Sequence, residues 1–481
     1  TPADRNGAEA ADDMHYYLVI GGMDGGSDVE KHKGGFAVGG FHFDANNAGG
    51  KTSFGNLEID LKLGSAARDL IALAASGNSL KSIQLVGDTS GEIPRTVYDL
   101  RFGGARLDTI FDTDAGQDHL SLDFNKYSLA TLNDAGKRSF YGFDLGSNTS
   151  LADELPPPGK TATGGTAGGN LQYYMTIDGL DGGSVREGHT ASFELDDFDF
   201  NFSKLAQTGA LDVKLDIGSA GDELLNLIAT GNHIKHVELV GESLNPDAVK
   251  NPYDLRLGNV TLTKFEQNAD GRDTIGLHFS KFSLTTKDAD KLAHTSGYDL
   301  STGKVLATPL GIAQAVKDFG AAGGADGYHL MIDGLDGGDR HKDRVGAFDV
   351  DSFDFDVTAA AATGVGKTTF KPIEISFHAG SAADELFQLI SSGASVGKAE
   401  IVGDIDGEQT FRSFDLRLAD VHLSRFHQGS DDDLITLRFD ALSLTTASMT
   451  DAGATHKETY AFDLDAWKGS TEPLPAAVPQ I

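Results

Sequence analysis

The sequence predicts a mainly antiparallel β protein made of three similar domains in tandem, each with a single α-helix. Three observations lead to this fold class: landmarks recur at domain-sized intervals, apolar residues alternate with polar ones, and one segment per repeat has helical spacing. An Asp-Gly-Gly tripeptide begins at Asp24, Asp181 and Asp336, at intervals of 157 and 155 residues (181 − 24 and 336 − 181). A solenoid repeat is about 20–50 residues long, whereas these intervals have the size of a whole domain.

The repeats divide the 481 residues into three domains and four connecting segments. Segment 146–170 carries three prolines followed by Gly/Thr repeats, a composition typical of spacers that do not pack, whereas part of 301–327 has helical spacing. We expect an N-terminal arm 1–14, domain 15–145, Pro/Gly-rich linker 146–170, domain 171–300, linker 301–327 with a short helix, domain 328–467 and a Pro-rich tail 468–481.

Strands are indicated by strict alternation of apolar and polar residues. Phe198, Phe200 and Phe202 alternate with acidic or amide residues, and the same rule returns in the other repeats. Alternation of period two predicts strands with one buried face and one face in water.

One segment in each repeat departs from this alternation. In the second repeat Leu224, Leu225, Leu227 and Ile228 follow helical spacing and are followed by Gly231. Similar segments end at Gly77 and Gly393, so each repeat is predicted to contain one helix with a Gly stop signal. Ser219 with Asp222, and Ser381 with Asp384, have the spacing of a capping box.

Composition excludes several classes of function. Lys and Arg number 39 against 72 Asp and Glu, a net charge of −33 that opposes binding to nucleic acids or anionic membranes. The chain has no cysteine and no apolar run long enough for a membrane span. We expect a secreted or extracellular bacterial protein, trimmed at its N-terminus or exported by a non-classical route.

Acidic loops before one strand of each repeat are the only candidates for a metal site. Oxygen-rich loops suit calcium, although the EF-hand spacing with its distal Glu is absent, and solvated loop carboxylates are the favoured interpretation. The calcium candidates are Asp112, Asp114, Asp118, Asp270, Asp273, Asp431 and Asp433.

No residue set predicts catalysis or a bound cofactor. His32, His189 and His341 occupy similar loops, but none has a second His at ligand spacing, so we expect hydrogen-bonded loop residues. The segment 364–369 resembles a phosphate loop without its first Gly and without a following helix, so nucleotide binding is rejected. The Asp-Gly-Gly tripeptides are interpreted as tight turns.

The order of these features resembles a known family. Each repeat opens with a strand and Gly turn (Tyr17–Gly21, Tyr174–Gly179 and His329–Gly334), continues through a basic loop (Lys31–Lys33, His189 and His341–Lys342) and reaches a helix segment (Ser65–Gly77, Ser219–Gly231 and Ser381–Gly393). This arrangement resembles the Hcp family, the haemolysin-coregulated proteins that form the tube of type VI secretion systems.

The resemblance implies a small β-barrel with one flanking helix in each repeat, six of which would form a ring that stacks into a tube. Because this chain fuses three domains, two chains would complete a ring, or linked domains would run along a filament. The favoured hypothesis is a non-enzymatic, self-assembling structural protein whose main partner is itself, with secretion-system components or effectors as further partners. The alternative is a secreted multivalent binding or adhesion module whose three domains present similar carbohydrate- or calcium-dependent surfaces.

Overall fold

The fold was analysed in a computed structural model. The structure describes residues 14–43, 45–48, 51–63, 66–76, 79–80, 82–90, 94–113, 118–132, 137–159, 171–203, 208–245, 249–269, 272–287, 291–315, 325–342, 344–359, 368–405, 411–429, 432–449 and 455–479. Most of the expected arm 1–14 and residues 160–170 of the first linker lie outside these ranges.

The first repeat is mostly β, as the alternation predicts. Its elements are β1 Met14–Ile20, β2 Phe36–His42, β3 Ala45–Ala48, β4 Lys51–Phe54, β5 Leu57–Leu61, α1 Ala67–Ser76, β6 Ile83–Thr89, β7 Thr96–Gly103, β8 Arg106–Thr113, β9 Asp118–Asp123, β10 Lys126–Leu132, β11 Arg138–Asp144 and β12 Thr149–Ser150.

The second and third repeats follow the same order with longer strands. The second contains β13 Leu171–Ile177, β14 Phe193–Ser203, β15 Thr208–Leu215, α2 Gly221–Thr230, β16 Ile234–Ser243, β17 Tyr253–Asn268, β18 Asp273–Lys287, β19 Ala293–Asp299 and β20 Lys304–Val305. The third contains β21 Gly327–Ile332, β22 Phe348–Ala359, β23 Thr368–Phe370, β24 Ile373–Phe377, α3 Ala383–Ser392, β25 Ser395–Ile405, β26 Phe411–Gln428, β27 Asp433–Arg438, β28 Ala441–Met449, β29 Thr455–Asp463 and β30 Lys468–Ser470.

Strand pairing in the second repeat runs round in a closed circuit. β13 pairs with β14 and β16, β14 with β15, β15 with β18, β18 with β17, and β17 with β16, all antiparallel. The third repeat has the equivalent circuit through β21, β22, β24, β27, β26 and β25. The second and third repeats are therefore closed β-layers, and the buried apolar residues of all three repeats form one continuous cluster.

The alternating apolar residues line the inside of these layers. Leu211, Val213 and Leu215 of β15 are at most 1 % exposed, whereas Lys214 between them is exposed. The periodic pattern in the sequence thus corresponds directly to the buried face.

One helix is confirmed in the described part of each repeat, and in the second and third repeats it ends at the expected glycine; Gly77 lies outside the described residues. Gly231 and Gly393 adopt left-handed φ values of 66° and 65°, a conformation that glycine accepts without strain. The N-terminal prediction is wrong: Ala220 and Ala382 are the N-cap residues and make no side-chain cap bond. A 3-10 turn, Gly218–Ala220 or Gly380–Ala382, precedes each helix and moves the helix start beyond the serine.

The segment after each repeat is bound to that repeat by one arginine and one serine. Arg101 Nη1 donates to Leu155 O at 2.6 Å, and Leu155 N donates to Ser128 Oγ at 3.0 Å. The same contacts join Arg256 and Ser283 to Leu310, and Arg417 and Ser443 to Leu474. The described parts of the linkers and of the tail therefore pack against the domains, in contrast to the spacer expected from composition.

The helix expected within 301–327 is not present in its described part up to residue 315. That part contains β20, and residues 316–324 lie outside the described ranges. The residues whose spacing predicts this helix are Ile312, Ala315, Val316 and Phe319, and the last two lie outside the described residues.

Candidate assembly interface

Neighbouring repeats are joined by strand pairing. In the first repeat β8 pairs antiparallel with β14 of the second repeat, with Ile110 opposite Phe202. In the second repeat β17 pairs in the same way with β22 of the third, with Phe265 opposite Val357. Each repeat thus adds one strand to the layer of the next, so the chain uses one type of junction twice.

The helix of each repeat completes the junction. Helix α1 contacts β18 and β19 of the second repeat, and α2 contacts β28 and β29 of the third. At the second junction Thr446 Oγ1 lies 2.7 Å from Ser219 O and 2.8 Å from Asp222 Oδ1, and Thr368 Oγ1 donates to Ile228 O at 2.9 Å. These hydrogen bonds fix the helix start and its last turn against the neighbouring repeat.

Equivalent residues are buried where a described neighbouring repeat covers them and exposed where no described repeat does. On the helix, Leu225 is 0 % exposed in the second repeat, and Phe387 at the same position of the third is 47 % exposed. On the receiving strand, Tyr460 is 6 % exposed in the third repeat, and Tyr141 at the same position of the first is 53 % exposed. The chain therefore has one open helix face at the third repeat and one open receiving face at the first.

The paired strands show the same difference. Phe265 of β17 is fully buried and packs edge-to-face against Phe355 of the third repeat, with ring centroids 5.9 Å apart. Its counterpart Phe426 in β26 is half-buried and instead contacts Phe387 of its own repeat at 4.7 Å. Gln267 is 4 % exposed, whereas its counterpart Gln428 is exposed.

Three carboxyl groups meet at the second junction. The ligand atoms of Asp222, Glu223 and Glu458 lie within 4.8 Å of one another, and His456 Nε2 lies 2.9 Å from Glu458 Oε1. Burial raises the pKa of Asp222 and raises the pKa of Glu223 to about 10, with repulsion from the other carboxylates adding to the shift of Glu223. The cluster therefore keeps a proton at neutral pH, which allows the acids to share hydrogen bonds across the junction.

Each repeat has one calcium candidate whose side chain is described. Each of these carboxylates accepts at least one hydrogen bond from a backbone N–H group of its own repeat. Asp118 accepts a hydrogen bond from Leu63 N at 2.6 Å; Asp273 accepts from Ile217 N and Asn268 N at 2.9 and 2.8 Å. Asp433 accepts from Ala379 N and Gly429 N at 2.8 and 3.3 Å. Each carboxylate fixes the backbone just before the helix.

Four calcium candidates do not have described side chains. Asp114, Asp270 and Asp431 lie outside the described residues, and Asp112 lies in β8. Calcium binding stays a prediction, and calorimetry with calcium and a chelated control tests it: the absence of heat and of a melting shift would contradict it. Two other groups of His and Asp side chains have ligand atoms close enough together to hold a metal ion. One is His329, Asp339 and Asp349, and the other is the exposed Asp351, His378 and Asp432.

Two of the three loop histidines are buried and stacked. His32 stacks on Tyr17 and bonds to Asp88 at 2.9 Å, and His189 stacks on Tyr174 with centroids 4.1 Å apart. His341 is exposed and does not match them.

In the third repeat Arg344 occupies the position of His32 and His189. It bonds to His329 and lies 3.4 Å from Asp404. These contacts hold the loop that carries Arg344 against β21, which carries His329, and β25, which carries Asp404.

The Asp-Gly-Gly tripeptides are tight turns, as predicted. In each, the last glycine donates its N–H to the Asp side chain at 2.9 Å, as in Gly26 to Asp24. The last glycines have φ values of 78°, 82° and 93°, which non-glycine residues rarely adopt. In the described part of the chain, no helix combines the length and apolar character that crossing a bilayer requires.

Sequence reasoning did not find the junction residues. A signal was present: helix positions that face a neighbour keep apolar residues beyond the single stripe that one domain needs, as at Leu225 and Phe387. Without a known neighbour, these additional apolar residues cannot be distinguished from residues that pack in the core of their own domain.

Comparison with known proteins identifies the domain type. A family model described as type VI secretion system effector, Hcp, matches residues 174–285 and 329–450. Three similar solved structures are Hcp1 from Salmonella typhimurium (22 % identity, 29 % of this chain, 99 % of that chain, TM-score 0.27), a type VI secretion system effector from Yersinia pestis (18 %, 27 %, 98 %, 0.24) and Hcp2 from Salmonella typhimurium (20 %, 28 %, 98 %, 0.24). A comparison with curated proteins gives no match.

The matched segments coincide with the second and third repeats, and the first repeat has the same order of strands and helix. The second and third repeats therefore match the Hcp family model, and the chain is similar to Hcp proteins of type VI secretion systems over these two repeats.

Proposed function

We propose that this protein is a non-enzymatic building block of a secreted ring or tube, in which two chains supply six domains. One observation carries the proposal: the same lateral junction occurs twice within the chain, and its two complementary faces are left open at the first and third repeats. Contacts between unlike faces generate rings when the rotation closes and filaments when it does not.

The open faces are built from the same elements as the occupied ones. Helix α3 with the end of β26 is the open helix face, and β10, β11 and the β2–β3 edge form the open receiving face. Strand addition satisfies backbone groups that an exposed edge leaves to water, and apolar residues such as Phe387 lose contact with water at the same time. Both effects favour joining the third repeat of one chain to the first repeat of another.

The chain lacks cysteine, so engineered disulfides test this directly. At the second junction Lys264 lies opposite Thr358, and this pair gives the internal control K264C/T358C. The corresponding pair between chains is N46C/R425C, since Ala45 faces Phe54 as Val357 faces Phe370. Paired strand positions bring Cα atoms within the separation that a disulfide accepts.

Oxidation should link K264C/T358C within one chain and N46C/R425C between chains. A ring of two chains gives a covalent dimer as the largest product and a particle of about twice 50.7 kDa by light scattering and electron microscopy. A ladder of higher products would support assembly but contradict the two-chain ring. Monomers at all concentrations, with the internal control linked, would contradict the proposed function.

A further inference from the structure

The two acidic residues at the start of α3 are exposed, although their counterparts in α2 are covered. Asp222 is 4 % exposed and Glu223 lines the junction, whereas Asp384 and Glu385 at the same helix positions are both exposed. The charge that the second repeat buries against its neighbour is therefore displayed by the third repeat.

The second junction shows what such helix positions face. Glu223 lies beside Thr446, Glu458 and His456, which line one small cavity with it. Thr446 and Glu458 are opposite each other on β28 and β29, and His456 lies two residues before Glu458 on the same face.

The pairing of β10 with β11 in the first repeat corresponds to that of β28 with β29 in the third. It identifies the residues that α3 of another chain would meet. Thr131 is opposite Ser139, so Ser139 takes the place of Glu458 and Lys137 takes the place of His456. Thr131, Lys137 and Ser139 are all exposed.

We propose that the contact between chains is acid against base: Asp384 and Glu385 of one chain meet Lys137 in the first repeat of a second copy. This inference rests on the proposed function and adds the chemistry that selects the partner face. The equivalents of Lys137 are Leu292 in the second repeat and His456 in the third, so the first repeat alone offers a lysine at this position.

The charge of the whole chain makes this local pairing important. At a net charge of −33, copies of the chain repel one another at long range, so a cation facing the two carboxylates offsets repulsion where the surfaces meet. Junctions within the chain have less need of such a pair, because the covalent linkage keeps neighbouring repeats at high effective concentration.

Charge reversal with rescue tests the proposal on the full chain. K137E and E385K should each weaken association between chains by about tenfold or more, since each replaces an attraction by a repulsion at the contact. The double variant K137E/E385K should recover most of the affinity. The exposed Lys304 gives the matched control K304E, which should associate like the unchanged chain. Sedimentation equilibrium measures the dissociation constants, and circular dichroism confirms that each variant folds.

The outcomes separate this proposal from the proposed function. Association of the unchanged chain with no loss in K137E or E385K would overturn the acid–base contact and leave self-assembly intact. A double variant as weak as the combined single variants would overturn it as well. No association of the unchanged chain at any concentration would overturn both.

Discussion

Helices α2 and α3 have closely similar sequences but different surroundings. Both begin after a Gly-Ser-Ala turn, carry Asp and Glu in the first turn and end at a left-handed glycine. Helix α2 lies between two repeats, whereas one face of α3 is exposed. The comparison shows that burial of these helix positions depends on the presence of a neighbouring repeat. An isolated repeat leaves the same residues in water.

The largest expected difference between the two settings is at the paired phenylalanines. Phe265→Ala should lower the free energy of unfolding by about 3–5 kcal/mol, because a fully buried ring is lost from the junction. Phe426→Ala should cost about 1–2 kcal/mol, since its ring already contacts water. Urea unfolding of the full chain measures both, and equal losses would contradict the closed-versus-open comparison.

A second pair of substitutions should lower the unfolding free energy equally, because both residues lie inside their domains. Asp273→Ala and Asp433→Ala each leave two backbone N–H groups without their carboxylate acceptor, one at the helix entry and one at the following hairpin. Each variant should lose about 1–3 kcal/mol of unfolding free energy. A large loss for Asp273 alone would mean that the junction extends into the domain interior.

The pH dependence of stability should differ between the two helices. Burial raises the pKa of Glu223 to about 10 from 4.5, so folding takes up a proton. The resulting stabilisation is complete below pH 4.5 and is lost as the pH rises toward 10. Glu223→Gln keeps a neutral side chain and should flatten the fall in melting temperature between pH 6 and 9.

Glu385→Gln is the matched control for that experiment, because Glu385 is exposed at the equivalent position. At a protein concentration that keeps the chain monomeric, its melting temperature should follow the same pH profile as the unchanged chain. An unaltered profile in Glu223→Gln would show that the acid cluster does not retain its proton.

The smallest expected effect is at a single hydroxyl. Thr446→Val removes the donor to Ser219 O and Asp222 Oδ1 and should cost about 1 kcal/mol. Thr131→Val, at the exposed counterpart in the first repeat, should leave monomer stability unchanged. Thermal unfolding at low protein concentration distinguishes them, and a matching loss at Thr131 would indicate an intrinsic strand preference instead of a junction contact.

Much of the fold was readable from local patterns. The alternation around Phe198 and the helical spacing around Leu224 indicate which side chains face a core, and Gly231 marks the helix end, because these depend on the period of the backbone and on glycine conformation. The helix start was not readable, since the 3-10 turn at Gly218–Ala220 depends on how β15 leads into the helix.

The acidic loops show a further limit of sequence reasoning. Asp273 has a residue type that suits calcium, but its oxygens bond to Ile217 N and Asn268 N, one of which lies 56 residues away along the chain. A sequence records the carboxylate but not which backbone donors the fold brings to it.

The sequence by itself determined three β-rich domains, one helix in each, the turn glycines and the strongly acidic surface, because these follow from periodicity, composition and backbone preference over a few residues. The tertiary structure alone decided that β8 and β17 pair with the next repeat as well as within their own layers, that α1 and α2 are covered and α3 is not, and that Asp222, Glu223 and Glu458 meet. These contacts join residues far apart in the chain, and their formation depends on the relative placement of whole domains, which no local pattern encodes.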